Sequence, residues 1–156
     1  MKFRCERDDL LEAVQFASRA ISNRATLPVL SGLRITASED GYVGVAATDL
    51  ELTMQTAFKA GTDEPGTVIV PGRLFGEMAR SLGTGQVSLS SGDAELEIGS
   101  GRGEFRVKAL VPDDYPALPI EEGEGDGSAI EVSVAAQELG TALSQVVRSA
   151  STDESR

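Results

Sequence analysis

Five arginines are the residues of this chain whose type and placement could do chemistry. Arg19, Arg73, Arg80 and Arg148 fall on the polar faces of amphipathic segments, and Arg24 stands alone before Thr26-Leu27-Pro28. A guanidinium is planar, permanently charged and able to fork two hydrogen bonds onto a phosphate or carboxylate. For any one of them, solvation of an exposed helix face is the plainer account. Their recurrence at like positions on three segments argues for a shared surface that meets an anionic backbone. No aromatics interleave them, so such contacts would go to phosphates and be indifferent to base sequence.

Composition removes most other chemistry. The 156 residues include no histidine and one cysteine, Cys5, which excludes zinc sites, Ser-His-Asp triads and Cys-His pairs within the chain. Catalysis by carboxylates alone stays open, with Asp49 and Glu51 of Thr48-Asp49-Leu50-Glu51 as candidates; a turn held by the Asp49 side chain is the simpler account. Gly99-Ser100-Gly101-Arg102-Gly103 lies between strand patterns rather than before a helix, which makes it a hairpin and not a phosphate loop. Asp113, Asp114 and the acids after them have no metal-ligand spacing, and no cofactor is expected. Net charge is −11, from 25 acids against 14 bases. Evenly mixed, that balance would repel nucleic acid. It is not evenly mixed, because 119–128 alone holds Glu121, Glu122, Glu124 and Asp126 and no base. Aromatics make up only 4 %, so the core must be aliphatic. The apolar runs are too short for a membrane span, the N-terminus has no signal-peptide character, and a lone cysteine suits a reducing cytoplasm.

The elements that must position the arginines follow from periodicity. Residues 1–7 alternate, with Phe3 and Cys5 on one face, and a helix over about 9–21 carries Leu10, Val14, Ala17 and Ile21 inside and Glu12, Gln15 and Arg19 outside. Asp8 or Asp9 is the predicted cap, with Asp9 and Glu12 at capping-box spacing. Strands follow over 33–36, 42–46 and 52–58, with Asp40-Gly41 marking a hairpin, and 61–66 looks like a polar loop. The order then restarts: strand 67–70, Pro71 as an early helix residue, and a helix over 72–82 with Leu74, Phe75, Met78 and Leu82 inside. Its polar face holds Arg73, Glu77 and Arg80. Strands near 86–90, 95–98 and 104–110 complete a second strand–helix–three-strand copy.

A longer repeat lies on top of this one. An offset of 129 pairs Phe3 with Val132, Cys5 with Val134, Leu10 with Leu139, Ala13 with Ala142 and Arg19 with Arg148. The predicted domains are therefore 1–118, an acidic Gly-rich linker 119–128, and a restart over 129–156 with strand 130–134 and helix 136–150. In that helix Leu139, Leu143 and Val146 are expected inside and Arg148 outside. The restart stops after one strand and one helix, so the chain looks truncated.

In order along the chain, Met1-Lys2-Phe3, Asp9-Leu10-Leu11, Arg24 with Thr26-Leu27-Pro28, Gly32-Leu33, Thr48-Asp49-Leu50-Glu51, Val70-Pro71 with Arg73, and Asp114-Tyr115-Pro116 resemble the bacterial sliding-clamp family, the beta subunits of DNA polymerase III. The resemblance implies an α+β DNA clamp fold, a doubled β-α-β-β-β unit with two helices on the inner face and antiparallel sheets outside. It implies a non-enzymatic replication processivity factor, a cytoplasmic homodimeric ring around duplex DNA that tethers the replicative polymerase. It also implies partnership with the clamp loader and repair proteins through a pocket in parts of the family that this chain lacks. It assigns DNA contact to Arg24 and Arg73, and a dimer face to the edge strand with Phe105 and Val107. A further family contact would fall at Thr152-Asp153-Glu154-Ser155, where acids stand in place of a phosphate-binding surface, so it is not carried over. Two other readings stand beside this one: an enzyme working through Asp49 and Glu51, and a plain interaction scaffold.

Overall fold

The structure is a computed structural model that describes residues 1–21, 27–92, 94–101, 103–111, 114–118 and 132–151. The chain separates into two units, Met1–Glu122 and Gly123–Arg156. The linker expected over 119–128 lies outside the described residues.

The first unit begins with strand β1 (Lys2–Glu6), which alternates as the sequence predicts and buries Phe3 and Cys5. Helix α1 (Arg7–Ala17) starts directly from it and runs into a 3₁₀ turn, Ser18–Ala20. Leu10, Ala13, Val14 and Ala17 form its buried stripe. The predicted cap is corrected: Glu6 occupies the N-cap position, no side chain caps the helix, and Asp8 and Asp9 lie inside its first turn. There they favour the positive helix end as charges. The backbone N–H of Arg7 is satisfied by the carbonyl of Gly85 at 2.9 Å, so the chain's second half closes the helix start.

Strands β2 (Gly32–Ala37), β3 (Tyr42–Thr48) and β4 (Thr53–Lys59) follow as antiparallel neighbours. The β2–β3 hairpin turns at Gly41, whose φ of +81° glycine adopts freely. Between β3 and β4, Asp49 Oδ1 accepts the N–H groups of Glu51 (3.0 Å) and Leu52 (2.7 Å), and Thr48 Oγ1 accepts that of Leu50 (3.0 Å). The Asp49 carboxylate is thereby committed to a turn that holds Leu50 at φ +81°.

Residues 61–64, expected in a loop, form a strand, β5 (Gly61–Glu64), paired with β1. The correction has a physical cause. An edge strand needs only one backbone ladder and can be polar on both faces, so its sequence shows no apolar alternation. An ion pair between Arg4 and Asp63 (3.0 Å) spans the two strands.

The second copy is β6 (Gly66–Pro71), α2 (Gly72–Ser81), β7 (Gln86–Ser91), β8 (Glu95–Ser100) and β9 (Gly103–Lys108). Pro71 ends β6 and holds the N-cap position of α2, one residue earlier than expected. Strands β8 and β9 pair as far as Ser100 and Gly103, with Gly101 at φ +56°, which makes the Gly99–Gly103 stretch a hairpin. The two copies exchange their first strands. The four-stranded sheet runs β4-β3-β2-β6 and the five-stranded sheet β5-β1-β7-β8-β9. Each sheet thus takes three strands from one copy and the leading strand of the other, with β5 added at an edge.

The main core, including Phe3, Leu10, Leu33, Ile35, Phe75, Leu89 and Ile98, joins both helices to strands of both sheets. Helix α2 buries Gly72, Phe75, Gly76 and Ala79, while Leu74 is 48 % exposed, against expectation. Beside Phe75, the stripe facing the core is made of Gly72, Gly76 and Ala79, and at Gly72 the helix lies close to its neighbours. A Cβ on Gly72 would stand 2.2 Å from Ile21 Cδ1, 3.1 Å from Leu33 Cγ and 3.2 Å from the Ser31 carbonyl. Strand β6 is buried on both faces, with Val68 and Val70 in the main core and Ile69 in a second, small core of Val29, Leu30, Leu110 and Tyr115. The Tyr115 hydroxyl is buried without a hydrogen bond of good geometry. Burial pushes its pKa up, and Arg34 and the Thr48 backbone offset this in part.

The second unit contains helix α3 (Ala136–Val146) and a 3₁₀ turn, Val147–Ser149. Two expectations are corrected here. Residues 132–134 are not in a strand, and 130–131 lie outside the described residues. Leu139, Leu143 and Val146 are exposed rather than inside, because no described element of this unit packs on the apolar stripe.

Candidate nucleic-acid interface

Arg73 and Arg80 are seven positions apart on α2, about two helical turns, and both are exposed. They line one groove of about 440 Å³ together with Ser18, Ile21, Gly72, Gly76 and Glu77. Gly72 and Gly76 put no side chain into this groove. Arg73 lies 3.8 Å from Glu77, one helical turn on, with side chains 87 % and 61 % exposed. Such a solvated pair is worth little and leaves the guanidinium available to another anion.

The other predicted positions are distributed differently. Arg19 sits on the 3₁₀ turn after α1 and lines a separate groove of about 450 Å³ with Asp9, Glu12, Phe16 and Phe58. Its guanidinium carbon stands 5.9 Å from the Phe16 ring centre, a cation–π distance. Arg148 is exposed on the turn after α3, in the second unit. Arg24 lies outside the described residues, but the chain that follows it is anchored. Pro28 opens a 3₁₀ turn, Pro28–Ser31; Leu30 N–H donates to the Leu27 carbonyl (3.1 Å), and Val29 and Leu30 are buried.

Phe105 and Val107 are on β9, an edge strand as predicted. Val107 is buried and Phe105 half-buried against the main core, so both side chains point inward. What the strand offers outward is its unpaired backbone edge with Glu104, Arg106 and Lys108, and Arg106 pairs with Glu97 (3.1 Å) and Glu104 (2.9 Å).

One contributor was not anticipated. The side chain of Arg7 is only 20 % exposed and reaches from the start of α1 to the end of α2. Its Nη2 donates to the Arg80 carbonyl (3.2 Å) and its Nη1 to Asp8 Oδ1 (2.8 Å). A cation at a helix C-terminus is favourable, and this one fixes the turn that carries Arg80. No sequence pattern announces it, because the bond closes across 73 positions.

Two interlocked strand–helix–three-strand copies, with exposed arginines on the second helix, define a clamp-fold domain. Residues 1–119 match the family model for the DNA polymerase III beta subunit, N-terminal domain, and the chain belongs to that family. A beta sliding clamp of Micrococcus luteus is 38 % identical over 138 residues, covering 86 % of this chain and 44 % of the relative. One from Streptomyces coelicolor is 34 % identical over 155 residues, covering 99 % of this chain and 39 % of the relative. Among solved structures, the sliding clamp of Bacillus subtilis superposes with a TM-score of 0.88 at 28 % identity, over all of this chain and 42 % of its own. The Caulobacter crescentus pol III beta structure gives 0.87 at 30 % identity, over 99 % of this chain and 40 % of its own. The chain spans about two fifths of the length of these relatives.

Proposed function

We propose that this chain is part of a replication processivity factor, a ring that encircles duplex DNA through backbone contacts and tethers the replicative polymerase. The observation that carries the reading is the pair Arg73 and Arg80, exposed along one groove of a chain that superposes almost whole on sliding clamps. We assign backbone contact to Arg73 and Arg80, with Arg24, Arg19 and Arg148 as further contributors. The protein acts as an accessory subunit without catalysis of its own, in the cytoplasm. We further propose that the complete clamp is a homodimer closed through the free edge of β9, where Phe105 and Val107 shape the strand from beneath. The clamp loader and repair proteins would bind elsewhere, beyond the length spanned here. The domain division at 118 and the linker over 119–128 belong to the same reading.

The carboxylate-enzyme reading is weakened by Asp49, whose Oδ1 is occupied by two backbone N–H groups.

The test uses fluorescence anisotropy of a short duplex with this chain at low salt. Arg73→Ala with Arg80→Ala should weaken association and reduce the slope of log K against log salt by about 2, since each phosphate contact contributes about 0.9. An unchanged slope would remove both residues from the interface. In a complete clamp carrying this segment, retention on nicked circular DNA and loss on linearisation is the expected result. Equal loss from both forms would sink the ring reading.

A further inference from the structure

Helix α2 ends without a glycine at its C-cap. Leu82 takes that place in an extended conformation (φ −63°, ψ 142°), and the chain reaches β7 through Leu82-Gly83-Thr84-Gly85. The carbonyls of a last helical turn need partners from outside the regular ladder. At α2 the Met78 carbonyl accepts the Leu82 N–H (3.1 Å) and the Ser81 hydroxyl (2.7 Å), whereas the Arg80 carbonyl accepts Arg7 Nη2 from the other copy (3.2 Å). Arg7 holds the far end of the same link as well, because its backbone N–H donates to the Gly85 carbonyl (2.9 Å). One residue thus grips the link before and after, by side chain on one arm and by main chain on the other. The link is easily bent: it contains two glycines, and Gly85 stands at φ +100°. The clasp itself is firm. The Arg7 side chain is only 20 % exposed, and Asp8 Oδ1 accepts its Nη1 (2.8 Å), so the planar fork is held on two sides.

We propose that Arg7 is a positioning residue for duplex binding: by clasping the α2–β7 link it keeps the last turn of α2 wound, and so keeps Arg80 on the groove that it shares with Arg73. The inference rests on the proposed function, which assigns backbone contact to Arg80. Arg7 acts through Arg80 and not through its own charge, which is largely covered and paired with Asp8. Arg73 does not depend on the clasp. It stands about two turns earlier on the helix, beside Glu77 at 3.8 Å, where the intrahelical ladder continues on its C-terminal side. Loss of the clasp therefore frays one end of the basic stripe and leaves the other in place.

A double-mutant cycle on the 156-residue chain tests this, read by anisotropy of a short duplex at low salt, with far-UV circular dichroism to verify folding at the assay temperature. Arg80→Ala should weaken association about tenfold, the worth of one phosphate contact at low salt. Arg7→Met should weaken it roughly threefold in the parent and in Arg73→Ala, but by less than about 1.5-fold in Arg80→Ala, since coupled residues do not add. An equal loss from Arg7→Met in all three backgrounds would show a direct charge effect and overturn the proposal. Unchanged affinity in folded Arg7→Met, beside a loss in Arg80→Ala, overturns the positioning role alone and leaves the proposed function standing. If Arg80→Ala itself changes nothing, the contact assigned to Arg80 falls and the role of Arg7 falls with it. Should Arg7→Met not fold, Arg7→Lys, which keeps the charge and loses the fork, is carried through the same cycle and judged by the same outcomes.

Discussion

Gly72 and Gly76 lie four residues apart on the same face of α2, and their replacement by alanine should change stability in opposite directions. In a helix interior, Gly→Ala gains about 0.8–1.0 kcal/mol from backbone entropy alone. At Gly76 the new Cβ would meet only Val14 Cγ1, at 3.8 Å, which is an ordinary contact, so the full gain of about 1 kcal/mol is expected. At Gly72 the Cβ would stand 2.2 Å from Ile21 Cδ1 and close to Leu33 Cγ and the Ser31 carbonyl. The Ile21 methyl can swing aside, but the carbonyl belongs to the backbone and Leu33 is fully buried. Overpacking of this kind costs about 1–3 kcal/mol. Gly72 is also the first helical residue, where the propensity gain is smaller, leaving a net loss of about 1–2 kcal/mol. Urea unfolding followed by far-UV circular dichroism reads both. With a slope of about 1–3 kcal/mol per molar, the Gly72→Ala midpoint should fall by roughly 0.5–1 M and the Gly76→Ala midpoint should rise. A Gly72→Ala variant as stable as the parent, or a Gly76→Ala variant that loses stability, would refute the close approach of α2 to its neighbours.

Other outcomes follow from buried groups. Burial, with Asp9 and Glu6 nearby, pushes the Cys5 thiol from 9.0 up to about 12. The unfolded thiol therefore ionises first, and Cys5 takes stability away as pH rises from about 9 towards 12, at a limit of about 1.36 kcal/mol per pH unit. Urea midpoints between pH 8 and 11 should fall less steeply for Cys5→Ala than for the parent, and parallel slopes would contradict this. Arg7→Met keeps the packed stem but loses the bond to the Arg80 carbonyl, at a cost of about 1–2 kcal/mol. Faster amide exchange at the end of α2 is the accompanying signature, and exchange unaltered there would show that Arg7 does not hold that turn.

How much of this was legible in the residues depended on whether a signal was local and apolar. Strands β2, β3, β7 and β8 alternate or carry turn residues at their ends, and the helices show clear stripes. Strand β5 has no sequence signal, because Thr62, Asp63 and Glu64 give an edge strand no apolar face. Leu74 is exposed although its size suggests burial, because the close contact of α2 selects Gly72, Gly76 and Ala79 beside Phe75. The Asp9–Glu12 cap was plausible by spacing, but Gly85 from the second copy supplies the partner that starts the helix. For the candidate site, the seven-residue spacing of Arg73 and Arg80 showed in the sequence that both lie on one helix face. That Arg19 belongs to a different groove, beside Asp9 and Glu12, needed the three-dimensional arrangement. The inward aim of Val107 follows from alternation along β9, which leaves Glu104, Arg106 and Lys108 on the outer face.

The exchange of leading strands has a consequence for how the molecule is made. Glu6 of β1 meets Gln86 of β7, eighty positions along the chain, and Gly32 of β2 meets Pro71 of β6. Neither sheet can be completed until both copies have left the ribosome, and the longest pairing closes a loop that spans most of the first unit. Loop-closure entropy must be met before those ladders return any energy, which makes assembly slow and cooperative rather than copy by copy. The same interlock ties the halves together mechanically. Neither can swing away from the other without breaking a strand ladder, so the two helices that they carry keep one fixed spacing.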